Sequence, residues 1–193
     1  MLPIIILLPL ILGTTLMSPL QRISRGMTAL GAIGISLSCF ILLLTQTEHV
    51  LQGNAVPQSW DWIPQLGINL SFRLDALGLL FALLISGIGT LIFIYAYYYL
   101  SPKNSLAKLY QLLMLFMAAM LGISLSNNLI VLLVFWELTS ISSFLLIGYW
   151  SQYEASQRGA RMALTLTGLG GLALLGGFIL LGQITGTYQI DQL

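Results

Sequence analysis

One carboxylate stands alone in a long apolar stretch. The segment "FWELTSISSFLLIGYW" (135–150) contains Glu137, the only charged residue between Lys108 and Glu154. The run that holds it, residues 129–150, is long enough to cross a bilayer as a helix, since about 20 apolar residues span the hydrocarbon core. Its midpoint falls near Thr139, which puts Glu137 roughly 3 Å from the centre along the axis. An acid at that depth costs about 2.5–3.5 kcal/mol on insertion scales. No Lys or Arg on the same run lies close enough to offset it. A Ser or Thr fills a structural role at lower cost, so the residue type points to a proton or cation site facing a bundle interior.

The neighbours describe the wall of such a site. At 100° per residue, Trp136, Ser140 and Ser143 fall within about 60° of one another, with Thr139 beside them. Glu137 lies about 60° from Ser140 on the same wheel, and Leu133 and Phe144 fall between them. Trp136, Thr139, Ser140 and Ser143 are therefore the expected pocket-lining residues. Desolvation there favours the protonated form of a carboxyl, so the acid is suited to taking up and releasing a proton. One carboxylate does not make a pump, however. No other candidate span contains a charged residue to pair with it.

Composition decides what must position this acid. The chain has 193 residues, of which 58% are hydrophobic and 7% charged, with a mean hydropathy of +0.94. Soluble domains carry roughly 25% charged residues, so this surface suits lipid rather than water. The expected class is an all-α integral membrane protein of about six transmembrane helices, with spans near 2–20, 27–45, 76–100, 109–125, 129–150 and 162–182. "SNN" at 126–128 divides the apolar run 109–153, which is too long for one span, because Ser and Asn favour a helix N-cap. The first apolar run has no basic residues ahead of it, so it reads as a retained helix and not a signal peptide.

Basic residues give the orientation. Arg22 and Arg25, Lys103 and Lys108, and Arg158 and Arg161 fall in loops one–two, three–four and five–six; Arg73 alone falls in loop two–three. The excess of Lys and Arg marks the cytoplasmic side, so both termini are expected outside. Arg158 and Arg161 share one helix face at the inner end. The outer loop, 46–75, holds a solvated His49 and ends in "INLSFRLD". Its strict alternation predicts a short strand over the bundle, with Ile68, Leu70, Phe72 and Leu74 on one side. No partner strand is evident within the loop, which points to one elsewhere in an assembly. Arg73 and Asp75 are two apart, on one side of that strand, and form a candidate structural ion pair.

Glycine marks the last span, "LTGLGGLALLGGFILLG", where Ala173 and Gly177 form a small-xxx-small pair; Gly78 and Ala82 repeat the spacing in span three. Cys39 reads as a small core residue. There is no zinc spacing, phosphate-binding loop or nucleophile elbow, and no basic run for nucleic acid, so no cofactor or metal is expected.

These residues also carry a resemblance. "SFRLDALGLLFALLISGIGTL" (71–91), "LSNNLIVLLVFWELTSISSFLLIGYW" (125–150) and "GGLALLGGFILL" (170–181) resemble the N-terminal part of the large A subunit of Mrp-type Na+/H+ antiporters. That subunit is similar in turn to the antiporter-like chain 5 subunit of respiratory complex I. "ELTSISSFLLIGYW" looks like the Mrp version. The resemblance implies a single membrane domain that is the N-terminal portion, or a split piece, of an antiporter-like proton-channel subunit. It implies a cell (inner) membrane location, and exchange of H+ with Na+ or another monovalent cation. The other subunits of a complex would be its partners, together with the rest of that same subunit. It further implies that Glu137 is the proton-transferring acid, paired in the family with a lysine on the seventh helix, past Leu193. The second function it allows is a proton-translocating, non-redox subunit of an NADH:quinone oxidoreductase or related hydrogenase.

Overall fold

Four capping side chains mark where long helices begin. Ser24 Oγ accepts from Met27 N at 3.0 Å, Asp75 Oδ1 from Gly78 N at 2.7 Å, and Ser105 Oγ from Lys108 N at 3.3 Å. Asn128 Oδ1 accepts from both Ile130 N and Val131 N, at 3.0 and 3.3 Å. Such caps occupy N–H groups that a helix cannot satisfy within itself. The computed structural model describes every residue except Met1, Pro64, Leu66, Gly67 and Lys103. Lys103, counted above among the inner basic residues, therefore lies outside the described residues.

Among the described residues, six helices are long and apolar enough to cross a membrane. They are α1 (Leu2–Ile23), α2 (Arg25–Leu44), α3 (Ala76–Tyr99), α4 (Leu106–Leu125), α5 (Leu129–Ile147) and α6 (Glu154–Thr185). The protein is a multi-pass, all-α membrane protein. The expected division at residues 126–128 is present, with Asn128 as the cap of α5. Most ends fall within three residues of the expected spans, and two ends of the last two helices bear on the site. The fifth helix stops at Ile147, where Gly148 begins a turn, and not at Trp150. The sixth starts at Glu154 and not near residue 162, because its first two turns are polar and hydropathy alone misses them. Arg158 and Arg161 thus sit on α6 itself and not in a loop.

The core lies along α4, ten of whose residues are buried. Tyr110 is fully buried there. Its hydroxyl donates to Phe93 O of α3 at 2.6 Å and its ring meets the Phe93 ring edge-on at 5.3 Å. A buried phenol needs such an acceptor. Helix α1 reaches α4 through a π turn, Leu8–Gly13, whose Gly13 packs directly on Met114. Cys39 is buried as expected, with Sγ donating to Ile5 O at 3.5 Å. The pair Gly78 and Ala82 is used in packing: Ala82 is fully buried, and Gly78 lies against Ser124 O of α4.

The second small-residue pair behaves differently. Ala173 and Gly177 are exposed, and nothing approaches Gly177. The buried residues of α6 are Ala160, Gly171 and Gly182. They are spaced by eleven residues, which is three turns with a drift of only about 20°, so they form one seam. That seam, and not the 173/177 face, is where α6 meets α5 and the chain that follows it.

The strand expected over residues 68–75 is present as β2 (Ile68–Leu74), with Phe72 and Leu74 buried. The expectation that its partner lies outside the loop is corrected. β1 (Val56–Ile63) pairs with it antiparallel, Trp60 opposite Leu70 and Val56 opposite Leu74. "VPQSWDWI" concealed this strand because it lacks alternation. It also carries Pro57, which is tolerated on an edge strand, and its register shifts between Asp61 and Ile63. The other edge of β2 is also covered. Ser126 bridges to Phe72, and Asn127 N donates to Ser71 O at 2.8 Å. Beyond α6, Gly186 turns the chain back in the left-handed conformation (φ +73°), which glycine adopts without strain. Leu129 N then donates to Tyr188 O at 2.9 Å and Ile190 N to Asn127 O at 2.8 Å. Three chain segments converge on the N-terminal end of α5.

Candidate functional site

Helix α5 is seated from three sides. At its N-terminus, Asn128 is fully buried and caps the first turn, while Asn127 Nδ2 reaches Ser71 Oγ at 3.5 Å and Gln189 Oε1 at 3.4 Å. On the α4 side, Phe135 occupies the space over Gly122, where any side chain would collide with its ring. On the α6 side, the acid itself makes the contact.

Glu137 lies one residue from the midpoint of α5. Its Oε1 is shielded from solvent and has no hydrogen-bond partner among the described residues, although the residue as a whole is half-buried. The carboxyl rests on the backbone of Gly171. A Cβ placed at position 171 would stand 2.8 Å from the carboxyl carbon and would overlap Oε1. A buried carboxyl oxygen without a hydrogen-bond partner is costly.

Two of the hydroxyls expected beside the acid donate to their own helix. Thr139 Oγ1 and Ser140 Oγ both donate to Trp136 O, at 2.7 and 3.3 Å. Ser142, absent from the expected lining, is fully buried and donates to Thr139 O at 3.0 Å. These bonds turn back on the helix that carries them. Ser140 is buried and Thr139 and Ser143 are half-buried, whereas Trp136 is exposed at 43%. Within this chain Trp136 is thus a surface residue.

The expected pair between Arg73 and Asp75 is also corrected. Asp75 is committed to capping α3, and Arg73 Nη1 instead approaches Asp191 Oδ2 at 3.7 Å, across the convergence of strands. Neighbours on one strand side compete poorly with a backbone N–H that a cap must satisfy. At the other end of the bundle, Arg158 pairs with Glu154 one turn earlier, and Arg161 Nε donates to Gln157 O at 3.4 Å. Both are exposed and remote from Glu137 along α6. Gly171 and Asp191 are what sequence reasoning missed. The spacing of Ala160, Gly171 and Gly182 was the available signal for the first; nothing local pointed to the second.

Two family models match the chain. One, described as "NADH:quinone oxidoreductase/Mrp antiporter, TM", covers residues 126–193, and the other, "NADH-Ubiquinone oxidoreductase (complex I), chain 5 N-terminus", covers residues 60–110. The chain is 44% identical over 191 residues to the A1 subunit of the Na(+)/H(+) antiporter of Staphylococcus aureus, which is 99% of this chain and 24% of that protein. The chain belongs to the NADH:quinone oxidoreductase/Mrp antiporter membrane-subunit family.

Other proteins are similar as well. The A/B subunit of a "Probable K(+)/H(+) antiporter" of Rhizobium meliloti (strain 1021) is 46% identical over 167 residues, 86% of this chain and 17% of that one. The structure of the Mrp complex from Dietzia sp. DQ12-45-1b superposes with a TM-score of 0.79 at 29% identity, over 96% of this chain and 20% of that one. The archaeal membrane-bound sulfane sulfur reductase shares the fold, with a TM-score of 0.82 at 21% identity over 98% of this chain and 29% of that one. The chain spans about a quarter or less of the length of the curated relatives it matches.

Proposed function

We propose that this chain forms part of the antiporter-like subunit of a multisubunit monovalent cation/proton antiporter, and that Glu137 is a protonatable acid on its proton path. The observation that carries this reading is the partnerless carboxyl oxygen held at the middle of α5 against Gly171. An intramembrane acid in such a place serves ion or proton movement by default. It is satisfied in turn by a proton and by a group from outside these six helices. The antiporter class follows the relatives, whose names specify Na+/H+ and K+/H+ exchange. The chain then works within a transporter and not as an enzyme. Its partners are the remaining subunits of the complex, together with the rest of its own subunit.

The same reading assigns it to the cell membrane. Arg22, Arg25, Lys108, Arg158 and Arg161 sit at the end of the bundle opposite the hairpin, so that end is cytoplasmic and the hairpin and both termini lie outside. The rival reading is a redox-driven proton subunit. Everted vesicles carrying the complete complex separate the two. An imposed proton gradient should collapse when Na+ or K+ is added, without an electron donor. Proton movement seen only during NADH oxidation contradicts the antiporter.

A further inference from the structure

Glycine is frequent in α6, yet most of its glycines meet nothing. A Cβ at Gly168, Gly170, Gly176 or Gly177 would have open space around it. Gly171 is buried, and the three atoms nearest its hypothetical Cβ are Oε1, Cδ and Oε2 of Glu137. No backbone atom of α5 is among them. Glycine at 171 therefore makes room for the carboxyl. The small residues that share its seam have other neighbours: Ala160 lies by Gly148 and Gly182 under the Tyr188 ring.

We propose that Gly171 is a positioning residue: by lacking a side chain it lets the Glu137 carboxyl point Oε1 at the α6 backbone, at the place from which the proton is exchanged. This rests on the reading of Glu137 as the proton-carrying acid. The obstructing atoms are the far end of a flexible side chain, so an alanine at 171 is accommodated by swinging the acid aside and leaves the fold in place. The expected defect is one of proton exchange and not of assembly. A second change should then compensate. Aspartate at 137 is shorter by one C–C bond, about 1.5 Å, and withdraws its carboxyl from the space that the new methyl group occupies.

The test uses the intact complex in vesicles. Gly171→Ala should assemble at the normal level and lower antiport at least tenfold. The protonated carboxyl C=O stretching band that disappears in Glu137→Gln should move in frequency in Gly171→Ala. Adding Glu137→Asp to Gly171→Ala should raise antiport above that of Gly171→Ala alone, although Glu137→Asp by itself lowers it. An unmoved band, or a double variant no better than Gly171→Ala, overturns the proposal. Should Gly171→Ala fail to assemble, the double variant decides: recovery of assembly supports the positioning contact, and no recovery refutes it. Full antiport in Glu137→Gln would instead defeat the proton-path reading, and the band shift would still report whether Gly171 holds the carboxyl.

Discussion

Phe135 lies across Gly122, and that contact turns Glu137 toward the opposite side of α5. The two side chains are two residues apart, about 200° on a helix. Phe135 therefore meets α4, and also the Phe72 ring of β2 edge-on at 6.1 Å, while Glu137 meets Gly171 of α6. The rotation of α5 is set by aromatic packing on one face, and the acid inherits its direction on the other.

Filling the seat should loosen α5. Gly122→Ala drives a methyl group into the Phe135 ring, and overpacking of this kind costs about 1–3 kcal/mol. Thermal unfolding in detergent should show that loss, and Phe135→Leu in the same chain should recover part of it. Strictly additive losses from the two substitutions would mean that they do not share the contact.

The cap on α5 makes a separate prediction. Asn128→Ala removes the acceptor for Ile130 N and Val131 N, at a cost of about 1 kcal/mol. Hydrogen exchange at those two amides should quicken while the amides near Ser140 keep their protection. Equal acceleration along the whole helix would point to global opening instead.

Arg73 and Asp75 should separate by salt. The Arg73–Asp191 contact is partly exposed, 34% at each side chain. Exposed ion pairs contribute about 0.2–1 kcal/mol, which salt screens. Arg73→Ala should therefore have a small effect that vanishes at high ionic strength. Asp75→Ala removes the α3 cap and should cost about 1 kcal/mol that salt leaves largely in place. An Asp75 effect screened like that of Arg73 would restore the pairing of the two with each other.

Much of this arrangement is legible in the sequence, for physical reasons that differ by element. Six spans follow from hydropathy because lipid demands it, and the break at Asn128 follows from capping chemistry. Glu137 is conspicuous because charge in hydrocarbon is costly. The facing of its neighbours is less legible. Trp136 and Ser140 are only about 40° apart on a helical wheel, yet one is exposed and the other buried. A wheel has no knowledge of which helix lies alongside. Ser71 shows the same limit from the other direction. Strand alternation puts it on the side opposite Leu70 and Phe72, with Asn69 and Arg73, but the segment through Asn127 covers it and it is buried. β1 and the Arg73–Asp191 contact depend on chain segments distant in sequence, for which local patterns hold no signal.

The central claim is that the Glu137 carboxyl exchanges the transported proton, and Glu137→Gln tests it most directly. Glutamine keeps the shape and removes the titrating group. Measured as cation-driven decay of an imposed proton gradient in everted vesicles with the complete complex, antiport should fall at least tenfold while complex abundance stays unchanged. Antiport at the unsubstituted rate in a fully assembled Glu137→Gln complex would contradict the account.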